Sequence, residues 1–223
     1  MSIRDAGGSL HAASTSSKIQ WRGMVTSVQP RIRLTRSFDQ RSHSYQGYVL
    51  RVSGSIAGET REFLVAVGPA AHSKHQFRAG DSVSGEGIPV AEPRLETAEI
   101  YRVSKLKVVA RGPSRPSERP PWQGVPPELP VYRERGHRRL ASRTYEKGCA
   151  CCIWGCKMPV AMIIDQWNPS RRRYRTETFC YGPLSCPVYR AGPTRRVPGR
   201  RGMTYEEEDW VDGEATSHRA PDE

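Results

Sequence analysis

All six cysteines of the chain fall between positions 149 and 186, and that confinement limits what its C-terminal half can fold into. The run Gly148-Cys149-Ala150-Cys151-Cys152-Ile153-Trp154-Gly155-Cys156 is followed, after an apolar and basic insert, by Cys180-Tyr181-Gly182-Pro183-Leu184-Ser185-Cys186-Pro187. Two thiol clusters joined by an insert of hairpin length can converge on one tetrahedral ion, because thiolates are soft donors suited to zinc or to an iron–sulfur cluster. The insert reads as that hairpin. Met158, Val160, Met162 and Ile164 alternate as a strand does, Asn168-Pro169-Ser170 is a turn signal, and Tyr174 to Phe179 supplies the return strand. Cys156 and Cys180 each lie twelve positions from Asn168. Folding the chain at that residue sets the two thiols opposite one another, with Cys152 and Cys186 close by.

The expected ligand set is therefore Cys152, Cys156, Cys180 and Cys186, with Cys149 in reserve, since Cys149-x2-Cys152 has the spacing of a metal knuckle. The layout Cys152-x3-Cys156 with Cys180-x5-Cys186 resembles a zinc ribbon, without the Cys-x2-Cys-Gly knuckles usual there. Cys186-Pro187 also has a counterpart in the cysteine runs of cluster-binding ferredoxins. Zinc is the first reading and an iron–sulfur cluster the alternative. Cys151 could be a reactive thiol among arginines, but crowding by five other cysteines favours a ligand or structural role. Disulfides need an oxidising compartment, and Met1 to Ser17 has no apolar run of the kind that directs secretion. The expectation is a cytoplasmic protein with reduced thiols.

The 223 residues are 36% hydrophobic with a formal net charge of +12, so part of the chain must be solvated and a polyanionic partner is favoured. No apolar run approaches the ~18–20 residues that span a bilayer, and no basic amphipathic helix is visible, so nucleic acid is a better partner than a membrane.

Residues 18–110 have the pattern of a small β-barrel. Met24, Val28, Ile32 and Leu34 fall on one face of a long first strand and Arg31 and Arg33 on the other, with Pro30 marking a bend or an edge. Tyr48, Leu50 and Val52 alternate on a second strand, Gly54 to Gly58 makes a hairpin, and Phe63, Val65 and Val67 form a third. A short helical segment follows at Pro69 to Phe77, then strands near residues 82–90 and 100–109. Three strands, a helix and two strands is the element order of an OB-fold, which this region resembles. The overall expectation is a mostly β chain, a five-stranded OB-like barrel plus a small metal-binding β-hairpin module.

The resemblance to OB-fold domains implies a binding surface for single-stranded nucleic acid or oligosaccharide on the second and third strands and adjoining loops. Arg31, Arg33, Arg36, Arg41 and Arg51 are candidate phosphate contacts there, and Tyr45 a candidate stacking residue, because Tyr48 shares the apolar parity of Leu50 and Val52. Arg171, Arg172 and Arg173, just after the hairpin turn, are a second basic cluster.

The organisation expected is an unstructured leader over residues 1–17, the barrel over 18–110, a proline-rich linker over 111–131, a basic cysteine module over 132–203 and an unstructured acidic tail over 204–223. The linker and tail are candidate sites for protein partners. His72 and His75, three apart, read as a solvent-facing pair, and Asp165 before Asn168-Pro169 as turn chemistry. No phosphate loop, nucleophile elbow or paired-carboxylate motif is present. The functional expectation is a metal-stabilised protein that binds single-stranded RNA or DNA without catalysis, the alternatives being a redox or nucleic-acid-processing iron–sulfur protein or an interaction scaffold.

Overall fold

The protein is mostly β. The computed structural model describes residues 17–113, 117 and 119–220, so the expected leader over 1–17 lies almost wholly outside the described residues. Strands β1 (Ile19–Arg36) and β2 (Arg41–Ile56) run antiparallel over nearly their whole lengths, and β3 (Glu59–Val67) continues the meander. A short helix, α1 (Pro69–His75), leads to β4 (Ser82–Pro89) and β5 (Ile100–Ala110). β4 pairs with β1 and with β5, and β5 meets β3 in parallel at Ile100 and Val65, so the pairing of these five strands returns to β1. Successive side chains of a strand point to opposite faces, which sends Val28, Ile32, Tyr48, Leu50, Phe63 and Val65 into one buried cluster.

Strands this long must coil, and they do so at irregularities. β1 is bulged against β2 between Val25 and Ser27 and between Arg31 and Ile32. Beside the second bulge Gly47 sits at φ +131°, where a Cβ would stand 2.2 Å from the Val67 carbonyl oxygen. The first bulge changes the parity of β1. Trp21 and Val25 turn inward, and Met24, whose spacing sets it with Val28, is instead 50% exposed.

The second half adds α2 (Leu129–Arg135), β6 (Arg138–Arg139), α3 (Ser142–Lys147) and the antiparallel hairpin of β7 (Gly155–Ile163) and β8 (Arg172–Cys180). A second hairpin, β9 (Arg195–Pro198) with β10 (Thr204–Glu207), precedes α4 (Asp209–Thr216). β7 extends the first sheet by pairing in parallel with β1, Leu34 to Arg36 against Val160 to Met162. One apolar cluster therefore runs from Val28 and Leu50 through Tyr132 to Met158, Val160 and Phe179.

Three sequence expectations are corrected here. The proline-rich segment is no free spacer over its described residues: the Tyr48 hydroxyl donates to the Pro127 carbonyl at 2.8 Å, His72 Nε2 lies 3.1 Å from that of Pro126, and Leu129 and Tyr132 are core. His72, expected at the surface, is 1% exposed and stacks on Tyr48 at 3.8 Å, because the segment folds over it. The acidic stretch after residue 203 is ordered through residue 220. It forms β10 and α4, with Glu207 and Asp212 buried against Arg36 and Arg139. Among the described residues no helix is long and apolar enough to cross a membrane.

Candidate metal centre and basic hairpin

The register of the β7–β8 hairpin decides which thiols meet. Gly155 stands opposite Cys180, and Cys156 opposite Phe179, one residue away from the register that symmetry about Asn168 implies. Directly opposed residues share a face, so a slip of one moves a side chain to the other side of the sheet. Cys156 accordingly lies in the main core with Phe179, fully buried, its Sγ 3.4 Å from the Pro30 carbonyl oxygen. Cys180 points to the opposite face, where it packs with Cys149, Cys152, Leu140 and Tyr145.

Three thiols pack together on that face, with Cys186 near them. Cys149 is within electrostatic reach of Cys180 and Cys186, Cys152 of Cys180 and Cys149, and Cys180 of Cys186. All four are buried and none is in a disulfide. Cys151 turns away, half-buried, its Sγ donating to the Gly148 carbonyl at 3.0 Å. Among the described residues no three His, Cys, Asp or Glu side chains stand at metal-holding distance, so the thiols are gathered but not closed into a coordination sphere. Burial pushes the Cys149 and Cys152 thiols up to about 12 and raises Cys180 as well.

Backbone amides converge on the same sulfurs. The Gly182 N–H donates to Cys180 Sγ at 3.4 Å, and the backbone amides of Trp154 and Trp122 are directed at Cys152. Each of these cysteines thus receives a donor from the residue two positions on. The 149–152 turn is fixed from β1: Gln29 Nε2 donates to the carbonyls of Cys149 and Cys152 at 2.8 and 2.9 Å, and the Tyr145 hydroxyl donates to Gln29 Oε1 at 2.7 Å. Spacing alone did not reveal this clamp, since Gln29 lies 120 residues from Cys149.

The candidate phosphate-contacting arginines of β1 and β2 are held within the fold. Arg31 chelates the Glu96 carboxylate, Arg33 donates to the Leu95 carbonyl at 3.0 Å, and Arg51 pairs with Glu62 at 2.6 Å. Arg36 is buried between Glu207 at 3.0 Å and Glu177 at 3.6 Å, and Arg41 reaches Glu207 at 3.2 Å. Tyr45 is half-buried against the core beneath the Arg133 guanidinium. The expected phosphate face is thus largely occupied by carboxylates and carbonyls distant in sequence.

The hairpin end is different. Arg171, Arg172 and Arg173 are exposed, and Arg171 and Arg173 make no ion pair among the described residues. Arg201 lines the same shallow pocket as these two, and Trp167 at the turn is 82% exposed. Asp165 Oδ1 accepts from the Trp167 N–H at 3.1 Å, as turn chemistry requires.

Beside the ion pairs of Arg36 and Glu207, His43 and His137 meet at 4.7 Å. Burial first, then Arg41 and Arg36, push His43 down to about 4 against the pull of Glu207. Burial, His43 and Arg41 hold His137 well below its ordinary value. A histidine kept neutral in the folded state charges on unfolding below pH ~6.5, so the unfolded chain binds more protons and stability falls as pH drops from there toward 4. Between pH 7 and 5 the His43 contribution is on the order of 2 kcal/mol. His43→Gln should flatten the acid limb of urea-unfolding stability relative to wild type; an unchanged limb would place the acid sensitivity elsewhere. The chain matches no protein-family model, no curated protein and no solved structure.

Proposed function

We propose that this chain is a metal-stabilised, non-catalytic protein that binds single-stranded RNA or DNA. The observation that carries the reading is the end of the β7–β8 hairpin, where an indole 82% exposed stands with three consecutive exposed arginines. A planar aromatic stacks on unpaired bases while guanidinium groups track the phosphates, and neither requires a fixed sequence. The barrel supports the reading as a scaffold. Its strand pairing returns to β1 with α1 between β3 and β4, which supports reading it as OB-like. The hairpin with thiols gathered at its base fits a metal-binding β-hairpin, in which the ion steadies one end and the other carries the contact. Zinc is the cofactor in this reading, and an iron–sulfur cluster its alternative.

The interface differs from the one that the barrel arginines implied. Arg31, Arg33 and Arg36 hold the fold together, so the contact rests on Trp167, Arg171, Arg172, Arg173 and Arg201. Titration of fluorescent single-stranded RNA and DNA at two salt concentrations tests it. Trp167→Ala should weaken binding by ~1–3 kcal/mol, roughly fivefold to a hundredfold, with the salt slope unchanged. The Arg171→Gln/Arg173→Gln double variant should lower the slope by about 0.7 for each phosphate that is no longer neutralised. Arg51→Gln, at an exposed internal ion pair, should bind as wild type. Absence of binding at low salt, or full affinity in Trp167→Ala, would refute the reading.

A further inference from the structure

We infer that Cys149, Cys152, Cys180 and Cys186, and not Cys156, form a tetrathiolate site for one soft divalent cation of the zinc class, positioned by Gln29. This rests on the metal-stabilised half of the proposed function and names its ligands. Three independent features lead to it. The register of the hairpin puts Cys156 in the apolar core and Cys180 on the opposite face, packed with Cys149 and Cys152 and with Cys186 within electrostatic reach. Cys149-x2-Cys152 has the spacing of a knuckle, and the residues two positions after Cys152 and Cys180 turn their amides back toward the sulfurs. Amide donors of that kind stabilise negative sulfur, which a neutral thiol does not need. The third feature is the Gln29 clamp, which fixes the carbonyls of both Cys149 and Cys152 in a buried setting.

The charge balance is workable. Each thiol gives up its proton to solvent as its sulfur takes the cation, and four thiolates around a divalent ion leave two negative charges. Arg138 lies beside Cys180 and partly offsets them, with its guanidinium anchored on the Pro183 and Leu184 carbonyls at 2.9 and 3.3 Å. Four thiolates gathered without a cation would repel one another, so the ion supplies the driving force for closing the site. Cys151 remains outside it, bonded to Gly148.

The test uses the full chain, reduced and reconstituted with zinc, then with cobalt as a spectroscopic probe. One equivalent of metal and the absorption of tetrahedral cobalt with thiolate charge transfer are expected. Cys149→Ser and Cys186→Ser should lose stoichiometric metal, whereas Cys156→Ala should keep one equivalent with an unchanged cobalt spectrum. Should Cys156→Ala fail to fold, alkylation of wild type gives the same answer: zinc should protect Cys149, Cys152, Cys180 and Cys186 from reagent during unfolding, and leave Cys156 unprotected. Gln29→Ala should retain the cobalt spectrum but weaken metal affinity by about 10–100-fold, as loss of an outer-shell partner does. Metal retained in Cys149→Ser, metal lost from folded Cys156→Ala, zinc protection of Cys156, or iron with inorganic sulfide in the purified protein would overturn the assignment. None of these readouts contains nucleic acid, so failure of the nucleic-acid reading leaves them interpretable.

Discussion

Arg139→Met is expected to destabilise the protein by about 3–5 kcal/mol at neutral pH, measured by urea unfolding. Arg139 is 1% exposed, yet every part of its guanidinium is engaged. Its Nε donates to Asp212 Oδ2 at 3.0 Å, Nη1 to the carbonyls of Glu207 at 2.5 Å and Pro193 at 3.3 Å, and Nη2 to Asp209. Its own backbone N–H donates to Asp212 Oδ1 at 3.1 Å. Methionine fills much of the volume but removes the charge, leaving the Asp212 carboxylate buried with a single donor. A buried ion pair adds little over an apolar pair of the same shape, but removing one partner is costly because the survivor cannot be resolvated.

The pH dependence of this variant separates that cause from simple loss of packing. Burial already raises Asp212 against the opposing pull of Arg139. Without Arg139 its folded value rises further above the unfolded one, so the folded state holds a proton that the unfolded state releases. The deficit should then be largest near pH 7 and shrink as pH falls toward 4. A cavity would cost the same at either pH. A loss below about 1 kcal/mol at pH 7 would mean that α4 and β10 are not held by this network.

Much of the strand pattern was legible because it is local. Period-two alternation locates β1, β2 and β3, and the apolar parity of Tyr48 with Leu50 and Val52 identifies it as core. What failed was parity across irregularities. The bulge between Val25 and Ser27 moves Met24 to the surface, and no residue type there announces it. The hairpin turns between Trp167 and Asn168 rather than at Asn168, which shifts the register by one and puts Cys156 and Cys180 on opposite faces. That placement had a signal. Cys156 has the same parity as Met158, Val160 and Met162, the apolar face of β7, and a ligand on that face would point into the core.

The roles of the arginines were not legible for a different reason. Whether Arg36 meets a phosphate or a carboxylate depends on Glu177 and Glu207, 141 and 171 residues away in sequence, and on β1 pairing with β7. A sequence shows the charge of such residues but not their partners. The acidic segment misled for the same reason. Its polar composition favours disorder when read alone, but Glu207 and Asp212 find buried cations that compensate their desolvation.

Gly155→Ala should unfold the thiol-bearing turn while leaving the five-stranded ring largely intact. The strand geometry at Gly155 is ordinary, so the constraint is space. A Cβ there would stand 2.2 Å from the Cys149 carbonyl oxygen and 2.8 Å from Gln29 Nε2. The first is backbone and cannot swing aside, and the second is the donor that holds Cys149 and Cys152 in place. One methyl group therefore pushes the turn off β7 and breaks the clamp together. Overpacking of this kind costs about 1–3 kcal/mol, and each of two buried carbonyls loses one of its two donors, since the Cys152 and Gly155 amides also donate to them, which adds about 0.5–1.5 kcal/mol each. Hydrogen exchange should show residues 145–156 losing protection, with β2 and β3 unchanged, since their pairing to each other does not involve this turn. Metal capacity should fall with it, because Cys149 and Cys152 leave the face that Cys180 occupies. The comparison with Gln29→Ala orders the causes: the clamp alone should weaken affinity, whereas displacement of the backbone should abolish it. Protection of residues 145–156 equal to wild type in Gly155→Ala would show that the turn relaxes around the methyl group and that this contact does not set the site.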